Sequence, residues 1–516
     1  MPAATLGAVL SIDVETLPQL LATRAGELGD ARFVRDARRS WSYGELAHRV
    51  SEIAAGLRAR GIAPGDVVGV VLPNGPEYLE VWWAILWIGA VFNPVNPDLT
   101  TREAVGILQD SGAVAVACRA DRIADFEAAR DDLPALRELL VVEHDTPDPL
   151  QALRGDGVVA EPVAAAGDDL MSLVYTSGTT GRPKGAMLSH RNFLADTRML
   201  AELVPAVRGD VLGMVLPLFH VNAQLVTTVM PMLLGAEVAM WDRFSASTFW
   251  QTVAAFEPVT FSAVPTMLAA LLHAPGADAM EDNSVRYVIC GAAPLSPALF
   301  RRFEAKFSIA ILEGYGLTEG ACCSTLNAFL GPRKIGSIGM PVRGQEVVIL
   351  DEQGERASDG EPGEVCVRGP NVMQGYFRRP DATAETLRDG WLHTGDVGYR
   401  DADGFFFLVD RKKDMIIRGG ENIYPREIED VLQEHAGVLE AAVVGRPDEV
   451  RGEEVHAVVV LAEGTELAAV EAHCAQRLAR FKVPTTWDVV DALPKTSTGK
   501  IDKKPLRAGV AGGAPA

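Results

Sequence analysis

The sequence predicts an α/β fold: a large N-terminal domain of two doubly wound α/β subdomains plus a small β-barrel, and a mobile α+β C-terminal domain. Up to about residue 330, short apolar runs alternate with helical patterns, which is typical of parallel sheets with helices on both faces. After that residue, short strands separated by glycines replace the alternation, as in a small barrel. A charged segment at residues 411–414 then precedes a compact tail. We therefore predict two domains, residues 1–410 and 411–516.

Periodicity supports the N-terminal elements in order. Residues 15–60 have the spacing of helices around a hairpin, with Ser42 as the N-cap of the second helix. Residues 66–72 predict a buried strand, and residues 76–88 predict a helix with a proline in its first turn. The tryptophans of that helix, Trp82, Trp83 and Trp87, are expected to be buried. Further strands are predicted at residues 114–117, 139–142, 170–174, 212–216, 238–240, 285–289 and 309–312.

The second half of the chain has shorter elements. Barrel strands are predicted at residues 345–350, 363–368 and 404–409. The tail predicts one helix and two strands, at residues 425–434, 438–444 and 455–461.

Composition excludes several classes of partner. A net charge of −21 argues against a nucleic-acid partner, because phosphate backbones select basic surfaces. The six cysteines show no CxxC spacing, which favours reduced thiols in the cytoplasm over a disulfide framework or a zinc site. The longest apolar run, residues 81–92, is too short to cross a bilayer, and no basic leader is evident. We expect a cytoplasmic protein without a membrane span, and a homodimer stays open.

Residues 175–185 form an unusual stretch, with four hydroxyl side chains, three glycines and Lys184 after an apolar run. Glycine lets backbone N–H groups approach an anion, hydroxyls add donors, and the lysine adds a positive charge. These are the groups that a triphosphate requires. The stretch is not a P-loop, because Arg182 and Pro183 separate Gly181 from Lys184. Taken alone, it could equally be a hydroxyl-rich surface loop.

The stretch resembles the phosphate-binding loop of the adenylate-forming (ANL) superfamily, which includes acyl-CoA synthetases, aryl-CoA ligases, luciferases and peptide-synthetase adenylation domains. The resemblance implies ATP, Mg²⁺ and CoA as cofactors. It also implies a catalytic contribution from Thr176 and Lys184, and phosphate contacts from the following loop residues: Thr176, Ser177, Gly178, Thr179, Thr180, Gly181 and Lys184.

A second motif, residues 313–319, follows in the order that the superfamily has. Taken alone, Thr318 and Glu319 would more often start a helix. The resemblance implies instead that Tyr315 lies against adenine, and that Glu319 binds Mg²⁺ together with Thr176, since this hard cation takes oxygen ligands. It further implies nucleotide contacts from this motif and from an upstream small-residue turn: Gly291, Ala292, Ala293, Glu313, Gly314, Tyr315, Gly316 and Thr318.

Residues 216–222 are predicted to place His220 at the end of a strand. A lone histidine after an apolar run is more often a packed residue than a catalyst. The resemblance places this motif between the carboxylate site and the thiol tunnel. We therefore assign His220 to substrate positioning and gating within the catalytic set, without a role as a base.

Three later motifs complete the resemblance. Asp396 lies on a tight turn and resembles a ribose-binding carboxylate, with Arg411 as a second ribose contact. Lys413 resembles the hinge about which the small domain rotates, and residues 418–423 resemble the loop that enters the site for the second half-reaction. Lys500, which alone would be an exposed lysine, resembles the lysine that bridges the carboxylate and the α-phosphate.

The implied reaction has two steps: ATP-dependent formation of an acyl-adenylate from a fatty or aryl acid, and transfer to the thiol of CoA. Four alternatives stay open. The acceptor or substrate can differ, as in secondary-metabolism relatives that use a carrier-protein thiol, an amine, or nitrite for diazotisation. The others are a P-loop kinase, which the spacing around Lys184 opposes, a non-catalytic nucleotide-binding protein, and oxygen-dependent light emission.

The sequence does not identify the acid. The pocket candidates implied by the motifs are His220, Val221, Asn222, Gln224, Ala292, Ala293, Glu313 and Gly314. Glu313 has two interpretations: it holds an amino or hydroxyl substituent of an aryl acid, or it caps the end of a strand.

Overall fold

The structure is a computed structural model that describes residues 12–143, 146–156, 161–176, 183–280, 283–411, 414–418, 421–448, 451–495 and 501–511. Numbered in chain order, the strands are β1 (Arg32–Arg35), β2 (Ser40–Ser42), β3 (Val67–Val71), β4 (Val91–Pro94), β5 (Ala115–Arg119), β6 (Glu138–Val142), β7 (Leu170–Thr176), β8 (Lys184–Ser189), β9 (Val211–Met214), β10 (Glu237–Met240), β11 (Thr260–Ala263), β12 (Tyr287–Cys290), β13 (Ala310–Tyr315), β14 (Thr325–Leu326), β15 (Met340–Pro341), β16 (Glu346–Leu350), β17 (Gly363–Arg368), β18 (Gly375–Tyr376), β19 (Leu387–Arg388), β20 (Trp391–Arg400), β21 (Phe406–Arg411), β22 (Ile416–Arg418), β23 (Glu421–Ile423), β24 (Val438–Asp448), β25 (Gly452–Leu461) and β26 (Thr486–Val489).

The α-helices, numbered in the same way, are α1 (Leu17–Leu28), α2 (Tyr43–Ala59), α3 (Pro76–Trp87), α4 (Thr101–Ser111), α5 (Ile123–Ala128), α6 (His190–Ala201), α7 (Val221–Gln224), α8 (Met230–Leu234), α9 (Phe249–Phe256), α10 (Pro265–Leu271), α11 (Pro297–Phe307), α12 (Pro380–Thr386), α13 (Pro425–Gln433), α14 (Leu467–Arg477) and α15 (Lys503–Ala511). None of the helices within these described ranges is long and apolar enough to cross a membrane.

Two mixed sheets with long parallel stretches form the large N-terminal part. One has the order β18-β8-β7-β4-β3-β5-β6, and the other has the order β15-β14-β13-β12-β11-β9-β10-β1-β2. Strands β7, β4, β3, β5 and β6 are parallel, as are β13, β12, β11, β9, β10 and β1. Antiparallel strands lie only at the ends of these two orders. The predicted α/β architecture is therefore confirmed.

The N-terminal elements follow from local sequence. Ser42 caps α2 through a capping box: its side chain accepts the Glu45 N–H, and the Glu45 carboxylate accepts the Ser42 N–H. Every residue of helix α3 except Glu77 is buried, and Trp82 and Trp83 are fully buried. These side chains fill the core between α3 and the seven-stranded sheet, where Trp82 stacks on Phe92 of β4. The predicted strands and helices of this region are present, with bounds shifted by a few residues.

A third sheet has five antiparallel strands in the order β16-β17-β20-β19, with β21 paired to β20. The sequence predicts a barrel here. Among the described strands, no pairing closes this sheet into a ring. The tail forms a separate sheet, β23-β22-β25-β24 with β26 beside β25, and packs α13, α14 and α15 against it. The domain boundary at residue 410 stays a prediction.

Candidate active site

The glycine-rich stretch joins two hydrogen-bonded strands. Strand β7 ends at Thr176, β8 begins at Lys184, and the two residues lie directly opposite each other. The Lys184 Nζ lies 5.1 Å from the centre of the Tyr376 ring, which is a cation–π contact. The predicted phosphate contacts of Ser177, Gly178, Thr179, Thr180 and Gly181 lie outside the described residues and stay predictions. The strand pair nevertheless brings Thr176 and Lys184 to the same end of the sheet.

The carboxylate of Glu319 meets the end of β7. Glu319 belongs to a short 3₁₀ turn, Thr318–Gly320, that follows β13. Its Oε1 accepts hydrogen bonds from the Thr176 hydroxyl at 3.2 Å and from the Tyr376 hydroxyl at 2.8 Å. The carboxylate and the Thr176 hydroxyl are hard oxygen donors, which fit Mg²⁺. The structure thus brings together the two residues that the sequence predicts as metal ligands.

Sequence reasoning missed Tyr376. It lies on β18, which pairs with β8, and it contacts both Glu319 and Lys184. Burial and the nearby Glu319 raise the pKa of Tyr376 well above its ordinary value, so its hydroxyl remains a hydrogen-bond donor. The residues Gly375 and Tyr376 resemble an ordinary turn in the sequence, and only the pairing of β18 with β8 shows their place.

Tyr315 and Asp396 are in direct contact. The Tyr315 hydroxyl donates to Asp396 Oδ2 at 2.6 Å, and both residues are buried. They come from β13 and from the middle of β20, so the contact joins the nine-stranded sheet to the five-stranded sheet. Arg411 lies opposite Asp396 in the register of β20 and β21. The predicted adenine and ribose residues are therefore adjacent.

Asp396 lies inside β20 and not on the tight turn that the sequence predicts, and side chains of the five-stranded sheet hold the strand at this point. Thr394 donates to the Val365 carbonyl at 2.7 Å and accepts the Asp396 N–H at 3.1 Å. The Gly395 N–H donates to Glu364 Oε1 at 3.0 Å, and Gly395 has a φ of +74°, which glycine adopts without strain. These bonds fix where the Asp396 carboxylate points.

Glu364, Cys366 and His393 lie close enough together to be considered as a metal site. However, the Arg388 guanidinium lies 3.0 Å from His393 Nδ1 and 3.5 Å from Glu364. A cation already pairs with the atoms that a metal would need, so this group is a hydrogen-bonded support for the part of β20 before Asp396. The expected free thiols agree with the structure, in which the six cysteines form no disulfide.

Two glycines of the nucleotide motifs allow close backbone approach. A Cβ on Gly291 would lie 2.8 Å from the Gly314 carbonyl, and one on Gly316 would lie 1.7 Å from the Cys322 carbonyl. Larger residues would therefore push β12, β13 and the following loop apart. Ala292 adopts a left-handed conformation with φ of +68°, which is strained for a residue with a side chain. Ala293 follows it and is partly exposed.

Glu313 is a buried carboxyl group on β13, opposite Cys290 of β12. One oxygen accepts the Leu295 N–H, and Oε2 has no hydrogen-bond partner among the described residues. Burial raises the pKa of Glu313 to about 8; Arg426 of α13 opposes this shift, and Asp430 adds to it. Glu313 is therefore mostly protonated at neutral pH.

His220 precedes α7, and its ring lies 4.3 Å from that of Phe219. It is not at a strand end, because β9 finishes at Met214. Two neighbouring pocket candidates, Asn222 and Gln224, each have a buried side-chain oxygen with no partner among the described residues. Gln224 is held in place because its Nε2 donates to the Leu218 carbonyl at 2.8 Å.

Two predicted residues, Lys413 and Lys500, fall outside the described ranges. Their predicted roles, as the hinge and as the bridge between carboxylate and α-phosphate, stay predictions. Asp414 and Ile501, which directly follow these two lysines, are described.

Comparison with known proteins decides the family. The AMP-binding enzyme model matches residues 21–377, and the AMP-binding enzyme C-terminal domain model matches residues 427–500. The chain belongs to the AMP-binding enzyme family. It is 40% identical to a feruloyl-CoA synthase of Amycolatopsis sp (92% of this chain, 95% of that protein) and 38% identical to a sulfoacetate–CoA ligase of Cupriavidus necator (95% and 97%). The fold matches ATP-bound MatB from Rhodopseudomonas palustris with a TM-score of 0.89 and 32% identity, over 95% of this chain and 98% of that one.

Family membership and the CoA-ligase relatives confirm the predicted activity. This AMP-binding enzyme is an acid–thiol ligase that uses ATP and CoA. It forms an acyl-adenylate with release of pyrophosphate, then an acyl-CoA with release of AMP.

The Asp396 contact generates a first prediction. If Asp396 holds the ribose, Asp396→Ala removes hydrogen bonds to a charged acceptor, each worth about 1.5–3 kcal/mol, and raises the KM for ATP by roughly 10-fold or more. Tyr315→Phe keeps the ring but loses the hydroxyl, so we expect roughly a 5-fold rise. Steady-state kinetics with varied ATP measure both. Tyr399→Phe, which removes a hydroxyl elsewhere from β20, is the matched control, and an unchanged KM in Asp396→Ala contradicts the ribose assignment.

The protonation of Glu313 generates a second prediction. Its pKa is about 8 when folded against an ordinary value of 4.5, so the native state keeps a proton that the unfolded chain releases between these values. The contribution of Glu313 to the free energy of unfolding therefore falls as pH rises through this range. Glu313→Gln has no carboxyl proton to lose, so this fall is absent in the variant. We expect the melting temperature of the variant, relative to the wild type, to rise between about pH 5 and pH 8.

If the melting temperatures of the wild type and of Glu313→Gln change with pH in the same way across that range, Glu313 is not protonated in the folded protein. Asp196, a second buried carboxyl group whose pKa burial raises to about 8, is present in both proteins and cancels in the comparison.

Proposed function

We propose that the acid is an aryl carboxylic acid that carries a hydroxyl or amino substituent. The observation that carries this proposal is Glu313, a buried and mostly protonated carboxyl group with an oxygen that has no partner among the described residues. Burying an unpartnered polar atom costs free energy, so a substrate group that pairs with it is favoured. Feruloyl-CoA synthase, at 40% identity, acts on an acid of this kind by its name.

Other pocket candidates support the same class. The unpaired oxygens of Asn222 and Gln224 are acceptors that a bare alkyl chain leaves unsatisfied. A ring with a hydrogen-bond donor removes part of that cost. A fatty acid is the second candidate, and the acceptor-rich set of residues disfavours it.

We assign the site residues as follows. The loop from Thr176 to Lys184 holds the triphosphate, and the oxygens of Glu319 and Thr176 hold Mg²⁺, which would neutralise phosphate charge when bound. Tyr315 lies against the adenine, while Asp396 and Arg411 hold the ribose. The contacts between Thr176 and Glu319, and between Tyr315 and Asp396, support one continuous nucleotide site.

The chemistry of the two steps is then divided between domains. A carboxylate oxygen of the acid attacks the α-phosphorus in line, and pyrophosphate leaves while Lys500 holds the acid and the α-phosphate together. Rotation about Lys413 withdraws Lys500, and the thiol of CoA attacks the acyl carbon, so that AMP leaves. Rotation lets one cleft provide different groups for the two steps. His220 positions the acid and gates the thiol path.

We further propose a cytoplasmic location and no nucleic-acid partner, which the free thiols and the net charge of −21 support. Measurement of the molecular mass in solution decides whether the enzyme is a homodimer.

The substrate proposal predicts a defined specificity. Pyrophosphate release is measured with alkyl acids, unsubstituted aryl acids, hydroxy- and amino-aryl acids and nitrite, each with and without CoA. We expect the largest kcat/KM for substituted aryl acids, with AMP and aryl-CoA as products. Preference for long alkyl acids contradicts the aryl assignment. Pyrophosphate release that depends on nitrite and an arylamine would show that the enzyme catalyses diazotisation. Loss of the preference in Glu313→Leu, with adenylation of an unsubstituted acid retained, identifies Glu313 as the specificity residue.

The role of Lys500 predicts a split between half-reactions. Lys500→Ala is expected to lower adenylate formation by about 100-fold or more, because it removes a group that orients the reactants and stabilises the transition-state charge. Thiolysis of a supplied acyl-adenylate by CoA is expected to stay near the wild-type rate. Single-turnover assays of each step measure this, and equal loss of both steps contradicts the two-conformation mechanism.

A further inference from the structure

We propose that Lys503 and Arg507, on the helix that follows Lys500, are positioning residues for the adenylation step. Their ion pairs fasten α15, which begins three residues after Lys500, to Glu429 and to Asp414 beside the hinge. The inference rests on the proposed role of Lys500 and adds the means by which that lysine is held.

The described residues on both sides of the segment that carries Lys500 pair with each other. Lys495 and Ile501 form an isolated antiparallel bridge, and the Asp502 N–H donates to the Pro494 carbonyl at 2.7 Å. We call this pair of contacts the base of the Lys500 segment. Ile501, which directly follows Lys500, is therefore held against Lys495.

Apolar contacts fix one side of the base. Leu493 is buried, and Ile501 and Leu506 pack with it against Ala442 of β24 and Val458 of β25. Such contacts are not directional. Directional contacts define the register of α15 on the sheet more closely.

Ion pairs supply those directional contacts. The Lys503 Nζ lies 2.7 Å from Glu429 Oε1 of α13, and the same oxygen accepts the Val443 N–H of β24 at 2.7 Å. The Lys503 and Glu429 side chains are only 17% and 14% exposed, so water screens the pair weakly. One turn later, Arg507 pairs with Asp414 at 2.6 Å. Asp414 is the first described residue after the hinge.

Charges on both sides of the hinge act on Lys503. Burial lowers its pKa, but Glu429, Asp410 and Asp414 outweigh this effect, so the pKa of Lys503 is raised and the ammonium stays charged. Asp410 lies on β21, before the hinge, and its carboxylate also accepts the Arg426 N–H at 2.9 Å. The helix that follows Lys500 is thus tied electrostatically to the segment about which the domain turns.

Removing Lys503 leaves Glu429 with a partly buried charge that has lost its ion-pair partner, so we expect α15 and the base of the Lys500 segment to shift. A displacement of about 1 Å in a reacting group costs about 100-fold in rate. Only adenylation uses Lys500 in the proposed mechanism. A positioning role therefore predicts loss in that step alone.

The test compares Lys503→Met, Lys503→Arg and the neighbouring Lys504→Met. Lys504 is exposed and serves as the matched control. Pyrophosphate release in a single turnover measures adenylation, and CoA-dependent loss of supplied acyl-adenylate measures thiolysis. We expect Lys503→Met to slow adenylation by about 10- to 100-fold and to change thiolysis by less than about 2-fold. Lys503→Arg restores most of the rate, and Lys504→Met behaves as the wild type.

The outcomes separate this inference from the proposed function. Adenylation unchanged in Lys503→Met, or both steps slowed equally, overturns the positioning role. If Lys503→Met does not fold, Arg507→Gln, at a more exposed ion pair, decides by the same two assays. Lys500→Ala is measured in the same assays. If Lys500→Ala forms the adenylate at the wild-type rate, the proposed role of Lys500 is wrong. If Lys500→Ala loses adenylation alone while Lys503→Met is normal, only the positioning role of Lys503 is rejected.

Discussion

The carboxylate of Glu319 is the interaction on which the rest of the site depends. It accepts hydroxyl hydrogen bonds from Thr176 and Tyr376, which belong to the seven-stranded sheet, while Glu319 itself follows a strand of the nine-stranded sheet. Its backbone carbonyl accepts the Met373 N–H at 2.8 Å, which adds a main-chain tie. The relative position of two sheets is therefore fixed at the point where the phosphates and the metal are proposed to bind.

The same motif also meets the five-stranded sheet. Tyr315 reaches Asp396 on β20, so residues 313–319 contact all three sheets of the large N-terminal part. The backbone at Asp396 is in turn held by two hydrogen bonds, from the Gly395 N–H to Glu364 and from the Asp396 N–H to the Thr394 hydroxyl. A nucleotide held between these groups would bridge three sheets, and its binding free energy would stabilise their mutual packing.

The alternating fold and the order of the motifs could be predicted from the sequence, because strand and helix periodicity and glycine spacing are local signals. Tyr376 could not be predicted. Its role depends on the pairing of β18 with β8, which are almost two hundred residues apart in the chain. The pairing of the five-stranded sheet could not be predicted either, since it depends on contacts between strands rather than on their individual patterns, and no pairing among the described strands closes it into a ring.

The buried carboxyl group of Glu313 lowers the stability of the fold but offers hydrogen bonds that an apolar residue lacks. An apolar residue at this buried position would avoid the desolvation that raises the pKa of the carboxyl to about 8. A neutral carboxyl group both donates and accepts hydrogen bonds, so it can pair with a hydroxyl or an amine of a substrate without an unbalanced charge in the pocket. Arg426, which lowers this pKa, belongs to α13 of the C-terminal tail. Asp430 of the same helix raises the pKa, so α13 presents two opposite charges to this carboxyl group, and burial remains the largest cause of the shift.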